Sequence, residues 1–320
     1  MRFPKAFLAF ALACVPAWAA AQGFPNRPVK MVVSFPPGAG TDVVARLVGR
    51  ELQDIFGQPV VIDNRPGAAG NIAAEIVARA PADGYTLLIN NSTFAANVAL
   101  FANLRFDPVK DFVPVTLLGS APMLVAVGGG SGIDSLAELV ARVRANPGQM
   151  SWASCGNGGP PHIIGEEFMR LHGLKITHIP YKGCAAANAD VVSGQVPIAM
   201  TSYAGTQAFI ASGRMKPLAV ALPKRSTLAP NIATVAELGF GSIEADLWYG
   251  LVAPAGTPRE AIVRLNKEIV QILNREEIKE KLKGMTVEVR PSTPEEFGAY
   301  MAKEIERYSK LVKEFGLRVD

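Results

Sequence analysis

The sequence predicts an α/β fold in two lobes, each a mainly parallel sheet flanked by helices. Three observations carry this. Short apolar runs alternate with amphipathic stretches from Val29 onward, the rhythm of βαβ units. That rhythm completes one set, breaks, and restarts. The chain behind its N-terminal segment, 299 of the 320 residues, is long for one core and natural for two.

The N-terminal segment stands apart. Arg2 and Lys5 give a basic start, residues 6–16 are apolar and uncharged, and Ala19, Ala20 and Ala21 are small residues before Gln22. That order predicts a secretory signal peptide over residues 1–21, cut near Ala21. A membrane-spanning helix needs about 20 apolar residues, more than this run offers. Cys14 would suit a lipidated N-terminus, but Ala11, Leu12 and Ala13 fit a lipobox poorly. Loss of Arg2 and Lys5 takes the formal net charge from +4 to +2. No basic stripe or run of like charge points to nucleic acid or a membrane surface. The mature protein is expected outside the cytoplasm. Its two remaining cysteines, Cys155 and Cys184, are a candidate disulfide in an oxidising compartment.

The elements follow in order. Residues 29–35 read as a buried strand. Residues 41–56 read as a helix, with Val44, Leu47, Val48, Leu52 and Ile55 at helical spacing. Strands at 60–63 and 85–90 flank a short Ala-rich helix over 71–80. The pattern restarts with two apolar runs across 113–127, parted at Gly119 to Pro122. Helices over 135–145, 162–172, 185–193 and 204–212 then alternate with strands at 150–154, 176–181, 196–201 and 216–221. A strand at 247–253 and helices over 258–274, 276–283 and 294–315 close the chain. In the first of these, Pro258 opens the helix and Ile262, Leu265, Ile269, Val270 and Leu273 point inward. The Lys and Glu residues of the last two form a solvated face. The chain is expected to cross between lobes near Gly119 to Pro122 and to return near Asp246 to Tyr249. Residues 22–121 with 248–320 then form one lobe, and 122–247 the other.

In open α/β sheets, ligands sit at the carboxyl ends of strands, so the loops there matter most. Residues 35–42 (FPPGAGTD) follow the first strand and open a helix. Gly38 and Gly40 permit close backbone approach and positive φ. Thr41 or Asp42 can cap the helix. Its free N–H groups and dipole make an anion site; the plainer alternative is a tight, capped glycine turn. A nucleotide loop is excluded, because neither a third glycine nor Gly-Lys-Ser/Thr follows. Residues 64–71 (NRPGAAGN) have the same character, although Arg65 can simply brace the loop. Asn91, Ser92 and Thr93 offer small donors after the third strand. In the second set, residues 154–162 (SCGNGGPPH) mirror the first loop, and 181–184 and 201–204 complete a group that would face it across a cleft.

An enzyme needs a catalytic constellation. His162, His172 and His178 lie ten and six residues apart, which suits no common zinc motif. HExxH, GxSxG and CxxC are absent. Nothing in the sequence brings Ser154 to His162, whose better reading is a brace for its own loop. No catalytic residue, metal or cofactor is expected. Many backbone donors and few reactive side chains suit a binder.

Several motifs occur in order: FPPGAGTD at 35–42 with Ala45-Arg46, NRPGAAG at 64–70 and DGYTLL at 83–88. DPVKDFVPV follows at 107–115, then the Gly-rich loop ending at His162 and Glu166, HIPYKG at 178–183 and WYGLVAPAGTP at 248–258. Together they resemble the Bug-type solute receptors of tripartite tricarboxylate transporters, over essentially the whole mature chain. The resemblance implies a two-lobed periplasmic binding protein of the Venus-flytrap kind. It implies a small carboxylate held largely by main-chain groups and water, a membrane permease as partner, and a monomer. The near loop would be Phe35, Gly38, Ala39, Gly40, Thr41 and Asp42. The opposing contacts would come from Ser92, Ser154, Gly156, Gly158 and Tyr203. It also implies that the Cys155 and Cys184 loops lie at the cleft, close enough to bridge. An orphan or signalling receptor of the same fold and a secreted enzyme are the alternatives.

Overall fold

The computed structural model describes residues 23–243 and 245–317; the expected signal peptide and Cys14 lie outside them. Two parallel units organise the chain. In the first, β1 (Val29–Val33) lies between β2 (Val60–Asn64) and β3 (Thr86–Asn91). In the second, β5 (Ser151–Ser154) lies between β6 (Thr177–Pro180) and β7 (Ile198–Ser202). Helices α1 (Gly40–Phe56) and α2 (Asn71–Ala78) connect the first set, α5 (Pro160–Leu171) and α6 (Cys184–Ser193) the second.

Two long strands join the units. β4 (Phe112–Gly128) pairs antiparallel with β9 (Asp246–Pro254) as far as Pro122 against Asp246. From Met123 onward it pairs with β7, and on its other edge with β8 (Met215–Val220). With β3 on the outer edge of β9, the order is β2-β1-β3-β9-β4-β7-β5-β6. The break expected at Gly119 to Pro122 is therefore one continuous strand of 17 residues. Pro122 falls where β4 changes partners, a place where a missing N–H does least harm to a ladder. Gly119 is needed for close approach: a Cβ there would stand 2.6 Å from the Glu288 carbonyl oxygen of β10 (Glu288–Val289).

Both faces of the first unit are covered, as parallel sheets require. Val29, Met31 and Val33 of β1 face α1 and α8 (Arg259–Asn274), while Val32 faces the opposite core with α2, α3 (Thr93–Leu100) and α10 (Pro294–Phe315). In the second unit, Trp152 packs with α4 (Leu136–Ala145) and α5, and Ala153 with α6. Each large side chain so buried contributes roughly 1.5–3 kcal/mol. On α8 the inward face is Ile262, Leu265, Ile269, Ile272 and Leu273; Val270, expected inward, is only half-buried, and Ile272 fills the period instead. α9 (Glu276–Gly284) follows. Pro294 and a Thr293–Glu296 capping box start α10.

Candidate ligand-binding site

The turn between β1 and α1 carries the first group of expected site residues. Gly38 has φ 83°, where glycine is at ease. Gly40 needs no special φ; it is glycine because a Cβ would lie 2.5 Å from the Tyr249 hydroxyl. Neither Thr41 nor Asp42 caps α1: half-buried Ala39 is the N-cap without a side-chain bond, and both residues lie buried inside the helix. Asp42 turns back instead. Its Oδ2 accepts from the Gly38 amide (2.8 Å) and Arg46 Nε (3.0 Å), and its Oδ1 from Asn64 Nδ2 (2.8 Å). Burial alone would raise the pKa, but the bonds from Arg46, Gly38 and Asn64 outweigh it and hold the carboxyl below its ordinary range. The Ala39 amide donates to the Pro36 carbonyl (3.1 Å). The amides of Gly40, Thr41 and Asp42 then have no acceptor among the described residues, as the first turn of a helix dictates. They are this loop's free anion donors; Phe35, half-buried, accepts at its carbonyl from Asn64 Nδ2 (3.0 Å).

Asn91 ties this loop to the end of β3, its Nδ2 reaching Thr41 Oγ1 at 3.4 Å. Ser92 is fully buried; its amide donates to the Trp248 carbonyl (3.2 Å), and its hydroxyl has no partner among the described residues. Sequence reasoning missed Tyr249. Its ring is buried, burial pushes its pKa up, and its hydroxyl abuts Gly40 without a hydrogen bond among the described residues. An aromatic residue in an apolar strand reads as core.

On the second side, Ser154 is buried at the end of β5. Its Oγ donates to the Gly156 carbonyl (2.9 Å) and lies 2.7 Å from His178 Nε2, so its partner is His178 and not His162. His162 Nδ1 accepts from the Gly158 amide (3.0 Å) and so braces the loop. The expected mirror of the first loop needs correction. α5 begins with Pro160 and Pro161, which have no N–H, and the His162 amide donates to Gly159 (2.9 Å). Free first-turn amides on this side belong to α6, whose cap Gly183 has no side chain, and to α7 (Tyr203–Ala211), where half-buried Tyr203 opens the helix and Ser202 accepts from the Gly205 amide. Cys155 and Cys184 form a disulfide that ties the Gly156–Gly158 loop to the first residue of α6. Among the described residues, no hydrogen bond joins loop 34–42 to loop 154–162 or Tyr203.

The histidines predict an acid sensitivity. The His162 and His178 rings stack at 4.0 Å, and Trp152 stacks on His178 at 4.2 Å. Burial lowers the pKa of His162 to about 4; burial, then repulsion from His162, lowers that of His178 to about 3. Unfolded histidines take up protons near pH 6.5. Stability is therefore full above pH 6.5 and falls as the pH drops from there towards the folded values. For nearly buried His162 the limit is roughly 3 kcal/mol; half-exposed His178 adds less. Denaturant midpoints should fall more steeply between pH 6.5 and 4.5 in the native protein than in His162→Gln/His178→Gln. Parallel profiles would remove the pair from the acid response.

The chain as a whole is similar to known proteins. A family model described as tripartite tricarboxylate transporter family receptor matches residues 44–317. Protein BugT of Bordetella pertussis is 35% identical over 311 residues, 97% of this chain and 95% of that protein. Among solved structures, R. palustris Rpa4515 with adipate is 33% identical with a TM-score of 0.84, over 92% of this chain and 100% of that one. MatC from Rhodopseudomonas palustris with bound malate is 31% identical with a TM-score of 0.79, over 90% and 100%. The family and these structural neighbours are two-lobed solute-binding receptors, not enzymes. This chain belongs to the tripartite tricarboxylate transporter receptor family.

Proposed function

We propose that this protein is a periplasmic receptor that captures a small carboxylate between its lobes and delivers it to the membrane permease of a tripartite transporter. The observation that carries the reading is the set of unengaged amides of Gly40, Thr41 and Asp42 at the N-terminus of a 17-residue helix. Adipate and malate, the ligands of two similar proteins, are both dicarboxylates. The proposed lobes are residues 22–121 with 248–320, and 122–247; the change of β4 partners at Pro122 and Met123 supports that division. The proposed contacts are the Phe35–Asp42 loop and Tyr249 on one side, with Ser92, Ser154, Gly156, Gly158 and Tyr203 completing the cleft. No helix among the described residues is long and apolar enough to cross a membrane.

A thermal-shift panel of mono- and dicarboxylates, aromatic acids and amino acids tests this reading. The cognate acid, at 100 times its dissociation constant, should add about 2.7 kcal/mol. Absence of any shift across the panel, in protein that native mass spectrometry shows to be free of copurified ligand, would refute it.

A further inference from the structure

A crevice of about 610 Å³, within the range of small-molecule sites, lies apart from the loops of the cleft. Its walls come from both sides of the crossing strands. Lys224 and Arg225 follow β8, Asp246 opens β9, and Arg290 and Lys303 come from beyond β10 and from α10. Its acidic groups are largely engaged. Asp246 accepts from Arg290 Nη1 (2.6 Å) and the Tyr300 hydroxyl (2.8 Å). Glu288 accepts from the hydroxyls of Ser226 (3.2 Å) and Thr227 (2.9 Å). Glu304 is buried, and burial raises its pKa towards the neutral form.

The basic groups keep donors in hand. Arg225 uses Nε on Glu237 and Nη1 on the Pro230 carbonyl, which leaves Nη2. Arg290 uses Nη1 on Asp246, which leaves Nε and Nη2. Lys224 and Lys303 are exposed and make no hydrogen bond or ion pair among the described residues. A guanidinium carries five N–H groups, of which these two arginines use only part, and an ammonium carries three, so what the crevice offers is positive and donor-rich. We propose that it is a second binding site, for a small multivalent oxyanion such as inorganic phosphate or a polycarboxylate. Arginine forks suit the planar or tetrahedral oxygens of such an ion, and the lysines supply mobile charge at the rim. Both sides of the β4–β9 crossing line the site.

Calorimetric titration of the mature protein at low ionic strength tests this, since exposed cations are screened by salt. Inorganic phosphate and citrate form separate arms. Saturable binding of either ion should weaken at least about tenfold in Lys224→Ala/Lys303→Ala, the loss expected when charged hydrogen bonds go. It should persist in Lys279→Ala/Lys283→Ala, which removes the same charge from α9, and in Gly40→Val, which obstructs the cleft. Phosphate binding identifies a free inorganic ion as sufficient; binding of citrate alone with this variant pattern identifies a polycarboxylate. Three results overturn the proposal: no saturable binding of either ion, equal loss in both lysine pairs, or citrate binding lost only in Gly40→Val.

Discussion

Gly40→Val should abolish carboxylate binding, with a loss of at least about a hundredfold in affinity, roughly 3 kcal/mol. Two effects combine. A side chain at the first residue of α1 covers the free amides of the helix turn, where an anion must approach closely. It also meets Tyr249, whose hydroxyl would stand 2.5 Å from the new Cβ. The ring cannot retreat, because it is buried in the core between β1, α1 and α8. Gly40 is solvent-exposed, but its contact with a buried ring adds a stability cost of about 1–3 kcal/mol to any side chain there. Melting temperature and affinity, measured on Gly40→Ala with and without Tyr249→Phe, separate the two effects. Removing the hydroxyl should restore stability to Gly40→Ala. No recovery would mean that the Tyr249 contact is not the reason for glycine here, and normal affinity in Gly40→Val would take this loop out of the site.

That example shows where the sequence is legible. Periodicity marks an element when one face is apolar and the other polar. α1 was readable because Val44, Val48 and Leu52 are buried at helical spacing between polar residues. α3 was not: in Thr93–Leu100, Phe94, Ala95, Ala96 and Leu100 are all buried and no polar stripe survives. β10, with two residues, is too short to carry a period. Gly119 and Pro122 look like a break because glycine and proline usually interrupt strands. Here each answers to a neighbour distant in sequence, the Glu288 carbonyl and the change of partner from β9 to β7. The site divides in the same way. Glycine loops after strands are local signals. The turn of Asp42 towards Gly38, the pairing of Ser154 with His178 and the place of Tyr249 beside Gly40 are tertiary facts. Pro160 and Pro161 were legible and misread: two prolines allow a helix to start but deprive its first turn of donors.

Reducing the Cys155–Cys184 bridge should cost roughly 3–4 kcal/mol of stability, the loop-entropy value for a separation of 29 residues. It should also weaken ligand binding. The bridge anchors the loop that holds Gly156 and Gly158, between Ser154 at the end of β5 and His162 in α5. Other contacts act on the same segment: the Gly183 amide donates to the Cys155 carbonyl (3.0 Å), and His178 holds Ser154. These keep the reduced loop near its place, so the effect on affinity should be partial while the effect on stability is large. Denaturant unfolding of the native protein, of reduced and alkylated protein, and of Cys155→Ser/Cys184→Ser gives the stability term. The reduced protein and the double variant should agree, since both release the same cross-link. Intact mass with alkylation counts the thiols. Two free thiols in protein purified from an oxidising compartment would show that the bridge does not form there. A bridge whose reduction leaves the denaturant midpoint unchanged would mean that the remaining loop contacts alone set the stability of this side of the cleft.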